Sequence, residues 1–492
     1  MLETLRAFLR TRPVKAYFVG GTVRDVLLGR EVHDLDLAVQ GNASDLARAF
    51  ADSIGAAFYV MDEAFDVARV IVERDGARDD ARPSDSVTPQ DGRASVLDFA
   101  RARGDAMEID LATRDFTVNA MAADAVTWNG EAEDVIDPLN GLADLQARRI
   151  RAVSNEVFRN DAVRLVRAVR FEAELQFGLD EQTAAWIQRD AALIENAPME
   201  RVRDELMRIF GAQSILRQLR RLDALDLLGR ILPEVNAMRG VTQSPPHIYD
   251  VFEHSLYAVA AAEETERARY LNLAQGAFAE QLTAHFAQTT SGARTRRELL
   301  RLTLLLHDIG KPATRTVQES GRIRYFGHED VGAQMVEPLL RRLKFSNDES
   351  VLVRTVLAEH LRPIFLAQNG VSDRAVYRFF RDTGAAGIDV AVHAWCDQRA
   401  TYGEDMPAEI DSALQAVIGR LLDRYYHAHE QVVAPSPLLN GDDIMQYLNI
   451  PPGPRIRVLL DALREAQAVG QVTTREEAFA LLDALNMASG KL

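Results

Sequence analysis

Two aspartates, Asp34 and Asp36, stand two residues apart in Asp34-Leu35-Asp36-Leu37, where polar and apolar residues alternate. On a β-strand that spacing puts both carboxylates on one face, where they can share divalent metal ions. Phosphoryl transfer asks for little more: metal held by carboxylates, donors for a triphosphate, and an in-line approach. Gly20-Gly21, followed by Arg24, supplies such donors, because paired glycines let backbone N–H groups approach phosphates just ahead of a helix. A third carboxylate on a neighbouring strand would complete a two-metal site, and Asp98 in Val96-Leu97-Asp98-Phe99 is the candidate. Further along, six of the ten histidines fall between residues 247 and 360. His254, the doublet His307-Asp308, His328, His360 and the distal Asp397 offer nitrogen and carboxylate ligands without thiolate. Such a set suits Mn, Ni, Fe, Co or Zn, and the doublet can bridge two ions.

These residues need elements to position them. Ala16-Tyr17-Phe18-Val19 reads as a short strand broken by Gly20-Gly21, with Thr22 as cap of a helix through Leu28. Leu35, Leu37 and Val39 alternate with polar neighbours, as in a half-exposed strand. Residues 74–94 carry almost no large apolar side chains and read as a mobile loop between strands Val67–Val72 and Ser95–Ala100. From about residue 140 the apolar period becomes helical, and residues 145–221 hold 14 arginines against 11 acids, the stretch where phosphate contacts are expected. A second helical block runs from about Tyr249 to Tyr426, with a local insertion over 262–298, and a Pro-punctuated linker at 432–440 leads to a small helical tail.

The whole composition bounds the reading. At 492 residues the chain is too long for one core, and with 47% hydrophobic and 26% charged residues it is not a largely disordered one. No run approaches the roughly 18 apolar residues of a membrane span, and Met1-Leu2-Glu3 opens no signal peptide. The single cysteine, Cys396, excludes a disulfide framework and fits a reducing cytoplasm, the expected location. A net charge of −16 argues against a surface coated for nucleic acid but leaves room for a local basic groove.

The ordered run Gly20-Gly21-Thr22-Val23-Arg24-Asp25, then His33-Asp34-Leu35-Asp36, resembles the class II tRNA nucleotidyltransferases and the bacterial poly(A) polymerases of the polymerase-beta-like superfamily. The resemblance continues through Arg114-Asp115-Phe116-Thr117-Val118-Asn119, which in the family contacts ribose and triphosphate, and Asp137-Pro138-Leu139-Asn140-Gly141, the hinge of the catalytic head. Asn160-Asp161-Ala162-Val163-Arg164, with Arg167 and Arg170, matches the motif whose Asp and Arg present a Watson–Crick-like edge to the incoming base. Helical spacing would place Asp161 and Arg164 on one face. Asn160 stands where the family usually has Glu, which leaves open how that pair is buttressed, and Thr113 where it usually has a second Arg. Glu200-Arg201-Val202-Arg203-Asp204-Glu205 matches a neck-helix motif read as structural. His254, His307-Asp308 followed by Gly310-Lys311, and Asp397 resemble the HD phosphohydrolase superfamily, with His328 and His360 as the ligands that accompany two metals. The tail, Pro437-Leu438-Leu439-Asn440-Gly441 and Pro451-Pro452-Gly453-Pro454, resembles the family's tRNA-contacting tail.

The resemblance implies an α+β architecture: a polymerase-beta-like head of small mixed sheet and helices over 1–140, then an all-α neck (141–240), HD domain (241–430) and tail (431–492). It implies addition of CCA to tRNA 3′ ends from CTP and ATP, with Mg2+ in the head and Ni2+, Mn2+, Co2+ or Fe2+ in the HD domain. The alternatives within the class are a poly(A) polymerase and an enzyme adding only A or only CC. Outside it stands an inactive RNA-binding or nucleotide-sensing regulator, against which the intact Asp34/Asp36 pair speaks. Oligomeric state is unknown from these residues.

Overall fold

A computed structural model describes residues 1–32, 34–73 and 94–489. His33 and the loop expected from residue 74 therefore lie outside the described residues, save Ala94, which opens a strand. The chain divides into two compact units: residues 1–205 with 221–230, and residues 206–220 with 231–492. The first takes together the expected head and most of the expected neck.

The first unit is built on a six-stranded mixed sheet. Its strands are β1 (Lys15–Val19), β2 (Asp34–Gln40), β3 (Ala57–Asp62), β4 (Val67–Glu73), β5 (Ala94–Arg101) and β6 (Ala122–Asp124), in the order β3-β4-β5-β2-β1-β6. Among the described strands of this sheet β2 and β5 alone pair in parallel, and their register sets Asp36 opposite Asp98. The period-2 pattern explains the faces: Leu35, Leu37 and Val39 are buried while Asp34 is exposed. The helix Ala43–Ile54 covers one face through Leu46, Ala47, Phe50 and Ala51, a stripe of helical period, and Phe50 meets Phe99 of β5 at 6.2 Å between ring centres. Asn42 caps that helix by accepting from Asp45 N–H, and Asp66 accepts from the N–H groups of Ala43 and Ser44.

The helix after β1 spans Gly21–Leu27 with Gly20 as its cap, so Thr22 sits inside the first turn and does not cap it. Its hydroxyl instead accepts from Asp36 N–H at 2.7 Å, tying this turn to the carboxylate strand. The hinge motif is tied just as closely. Asp137 accepts from the N–H groups of Gly141 (2.6 Å) and Leu142 (2.9 Å), and Thr117 donates to Asp144 at 2.6 Å. A Cβ on Gly141 would stand 2.3 Å from the Thr117 carbonyl oxygen. Gly141→Ala is accordingly expected to cost roughly 1–3 kcal/mol of stability, read as a lower urea midpoint with unchanged slope. An unchanged midpoint would mean the hinge relaxes freely.

Past the head the chain is helical, as expected, with two small exceptions: a parallel pair, Arg149–Ile150 with Gly178–Leu179, and a hairpin, Thr316–Val317 with Ile323–Arg324. In the second unit the helices Val251–Arg267, Arg296–Leu306, His328–Arg342, Asn347–Glu359 and Gly387–Tyr402 carry the histidine cluster, and the expected insertion holds a helix of its own, Ala279–Ala287. The tail is three helices, Gly441–Leu448, Pro454–Ala468 and Arg475–Ser489, closed on a core that includes Leu439, Ile444, Leu459, Leu463 and Leu482.

Candidate functional site

Asp34 and Asp36 share one face of β2, and Asp98 faces Asp36 from β5, so the three carboxylates expected to act together are adjacent. Burial, then the Asp98 and Asp34 carboxylates, push Asp36 up to about 6 against the pull of Arg114 and Arg24. Clustered hard oxygen donors with this much mutual repulsion suit a divalent cation. Gly20 lies in the left-handed region (φ +63°), and a Cβ there would meet the Arg114 guanidinium at 3.0 Å and the Asp36 carboxylate at 3.7 Å. The glycine pair thus brings bare backbone up to the carboxylates. Asp98 is also gripped by Arg69 of β4 through two bonds of 2.8 Å, a partner that the lone arginine in the apolar run Val67-Ala68-Arg69-Val70 could have signalled.

The expected nucleotide-binding residues form one linked network. Arg24 donates to Asn119 at 2.6 Å and to Asp25, and Asn119 donates to Asp115 at 3.2 Å. Arg167 pairs with Asp115 (3.3 Å) and Glu205 (2.8 Å), and Arg170 with Glu205 (2.5 Å) and Glu174 (2.8 Å). Burial opposes the charge of Asp115, but Arg167 and the Asn119 bond hold it below the usual carboxylate range. Asp161 and Arg164 are brought together, though not on one helix. Asp161 ends the helix Val157–Asn160 in an extended conformation, and Arg164 opens the helix Arg164–Leu175 with its Nε 3.9 Å from the Asp161 carboxylate. The helical-spacing argument fails because the backbone breaks between them. Arg164 donates to the carbonyls of Thr113 (3.2 Å) and Arg114 (3.3 Å). Asn160 is exposed, and the buttress comes from Arg201, which binds Asp161 at 2.7 Å and keeps it ionised against burial. Arg201 and Glu205 of the motif read as structural are therefore the residues that hold the expected base readers and their arginines.

In the second unit the expected ligands converge. His254 reaches Asp397 at 2.8 Å, His307 reaches Asp308 at 3.1 Å, and His328 lies 3.3 Å from Asp308 and 3.4 Å from His360. They form three overlapping triads, His254/His307/Asp308, His307/His360/Asp397 and Asp308/His328/His360, all buried. The Nδ1 atoms of His307, His328 and His360 donate to the carbonyls of Leu304, Tyr325 and Leu357 at 2.7–2.9 Å, which turns each Nε2 inward. Both Asp308 oxygens and His307 Nε2 lack a well-aligned hydrogen bond, although Lys311 Nζ stands 2.7 Å from Asp308. Burial works against a charged His307, yet Asp308 and Asp397 outweigh it and lift it to about 10; burial takes His360 down to about 3. This donor set fits a divalent transition metal. Lys311, three residues past Asp308, and the fully buried His393, whose ring lies 5.2 Å from His307 and four residues before Asp397, were not picked out as site residues from the sequence.

Three family models match along the chain, the middle one spanning residues of both compact units. The Poly A polymerase head domain family matches residues 16–151, "Probable RNA and SrmB- binding site of polymerase A" matches 176–239, and the HD domain matches 251–388. The A-adding tRNA nucleotidyltransferase of Deinococcus radiodurans is 32% identical over 96% of this chain and 95% of its own. The CC-adding tRNA nucleotidyltransferase of Thermus thermophilus is 31% identical over 96% and 93%. A CCA-adding enzyme solved with CTP shares the fold, with TM-score 0.61 over 98% of this chain and 94% of that one at 19% identity. Nucleotidyltransferase and HD domains together imply dependence on divalent metal. With identity of this level along nearly its whole length, the chain belongs to the tRNA nucleotidyltransferase family, carrying an HD domain behind its nucleotidyltransferase head.

Proposed function

We propose that the chain adds C and A residues to the 3′ end of tRNA from CTP and ATP, releasing pyrophosphate. The observation that carries the reading is Asp36 set opposite Asp98 on parallel strands, beside Gly20-Gly21 and Arg114. Asp34, Asp36 and Asp98 would hold Mg2+, which when bound stabilises charge on the triphosphate and the attacking oxygen. The RNA 3′-hydroxyl attacks the α-phosphorus, its proton leaves, and the bond to pyrophosphate breaks. Arg24 and Arg114 orient the triphosphate, and Asp115 and Asn119 fix Arg24 and Arg167 in place. Asp161 accepts from the exocyclic amino group of C or A while Arg164 donates to the neighbouring ring nitrogen; uracil and guanine offer a carbonyl in place of that amino group. The HD cluster would bind Ni2+, Mn2+, Co2+ or Fe2+ and hydrolyse phosphoesters. A cytoplasmic location is part of this reading, because tRNA, CTP and ATP are its substrates. Among the described residues no helix is long and apolar enough to cross a membrane.

A tRNA transcript lacking its 3′ end, offered each triphosphate singly and together, tests the reading; no incorporation from any mixture would overturn it. The full-length relatives named A-adding and CC-adding favour a second reading, a partial adder. Two C residues and a stop from CTP plus ATP, or A added only to a transcript ending in CC, would establish it; a long A tail would establish a poly(A) polymerase. In either case Asp161→Ala is expected to lower discrimination against UTP and GTP by roughly 10- to 100-fold, since a mismatched edge costs about 1–3 kcal/mol. Unchanged ratios in both Asp161→Ala and Arg164→Ala would mean that selection happens elsewhere.

A further inference from the structure

His393 is wholly buried on the helix Gly387–Tyr402, in the run Val390-Ala391-Val392-His393-Ala394, whose other members are apolar and buried. Neither of its ring nitrogens has a hydrogen-bond partner among the described residues. A leucine would fill such a position with no polar atom to satisfy, whereas a buried imidazole with both nitrogens unmet costs stability. The ring is nonetheless set among the expected ligands. It stands one helical turn before Asp397, on the same face, and the ring centres of His307 and His360 lie 5.2 and 5.6 Å away. The ligand rings keep the same spacing among themselves: 5.3 Å for His254 and His307, 5.2 Å for His307 and His360, 5.3 Å for His328 and His360. Imidazoles that converge on one ion with metal–nitrogen distances of about 2.0–2.1 Å adopt this kind of separation.

The partner that suits His393 is not a substrate. A cleft of about 340 Å³ opens onto the cluster and is walled by Asp308, His328, His360 and Asp397, while neither His307 nor His393 lines it. His393 therefore approaches the cluster from behind, on the His307 side, and transition ions of this class accept more donors than a triad supplies. We propose that His393 is a further protein ligand of the metal ion shared by His307 and Asp397, entering from the side away from the cleft, while Asp308, His328 and His360 hold the position that faces it. His393 stands in none of the three triads, so this takes a turn of its ring about χ2, a soft torsion for imidazole. The proposal rests on the reading of the HD cluster as a site for two metal ions.

The test uses the full chain stripped of metal, with Co2+ alone as the probe. The wild type is expected to bind about two Co2+ ions per chain; His393→Leu should keep the affinity for one and bind the other about 30-fold or more weakly. The paramagnetically shifted imidazole N–H signals of the Co2+-loaded protein should fall by one in the variant. In chelator His393→Leu should have a higher urea midpoint than the wild type, because it removes unmet polar atoms from the core, and saturating Co2+ should reverse that order. Unchanged affinity for both ions in His393→Leu would overturn the proposal and leave the metal site standing. An equal loss of both ions, or a lower midpoint in chelator, would overturn it in favour of a packing role. A folded wild type that binds no Co2+ would overturn the reading of the cluster itself.

Discussion

Asp36→Asn is expected to lower nucleotide addition by roughly a thousandfold or more, with RNA affinity within about twofold of wild type. The loss follows from the position of the carboxylate, which faces Asp98 across paired strands and borders the glycine turn, so that no neighbour can take over its oxygen ligands. The same residue predicts an opposite effect on stability. Its native pKa of about 6 lies above the ordinary value of 3.8, so ionising it in the metal-free protein works against folding. Stability from the protonated form is complete below about pH 3.8 and is lost as pH rises through about 6. In chelator at pH 7.5 Asp36→Asn should therefore be more stable than wild type by on the order of 1–3 kcal/mol, the difference vanishing near pH 4. Activity of the wild type should fall below pH 6, as proton and metal compete for the carboxylate. Two measurements decide: single-nucleotide incorporation with saturating Mg2+, and urea unfolding in chelator at pH 4 and 7.5. Near-normal incorporation by Asp36→Asn, or a less stable metal-free variant at pH 7.5, would remove Asp36 from the catalytic centre.

What the sequence revealed and what it hid follow from how far each signal reaches along the chain. Asp34 and Asp36 were legible because strand alternation is local, and Asp98 because an aspartate between Leu97 and Phe99 has few other reasons to sit in a buried strand. The parallel pairing that brings β5 beside β2 is a long-range event that no local period records. Arg69 closing on Asp98, Arg201 on Asp161 and Glu205 on Arg167 and Arg170 are bonds across 29 to 40 residues, and their sequence contexts look like ordinary helix or strand faces. The misplacement of Asp161 on a helix has a similar source. Asn160-Asp161-Ala162-Val163 has helical composition, but the chain breaks at Asp161, where Arg201 pulls the carboxylate across to the helix Met199–Gly211. The histidine cluster was legible as a set because few buried roles other than metal binding call for so many imidazoles, while His393 was hidden in the apolar run Val390-Ala391-Val392-His393-Ala394.

Asp308→Asn should abolish both transition-metal binding by the HD cluster and metal-dependent hydrolysis of p-nitrophenyl phosphoesters, while leaving nucleotide addition within about threefold. Asp308 belongs to two of the three ligand triads, and its carboxylate is wholly buried between His307, His328 and Lys311. Asparagine keeps the volume but replaces one anionic oxygen by a donor pointed at imidazole nitrogens, so the cluster loses the charge that a divalent ion needs. Alanine is a poorer test, since it would leave the buried Lys311 ammonium with only Gln243 at 2.7 Å and cost about 3–5 kcal/mol of stability. The metal-free cluster also has a proton signature. With His307 lifted to about 10 by the carboxylates, this imidazole is protonated at neutral pH and must shed its proton to become a ligand. Metal affinity should accordingly rise with pH between 6 and 9, by up to about tenfold per unit, and binding should release a proton that calorimetry in buffers of different ionisation enthalpy detects. Asp308→Asn should lose that release together with the affinity. The two proposed activities are expected to be independent because their candidate residues belong to different compact units, the head carboxylates to the first and the proposed HD ligands to the second. Retained metal stoichiometry and hydrolysis in Asp308→Asn would mean that these histidines only pack, and a folded variant that had lost nucleotide addition would mean that the two sites work as one.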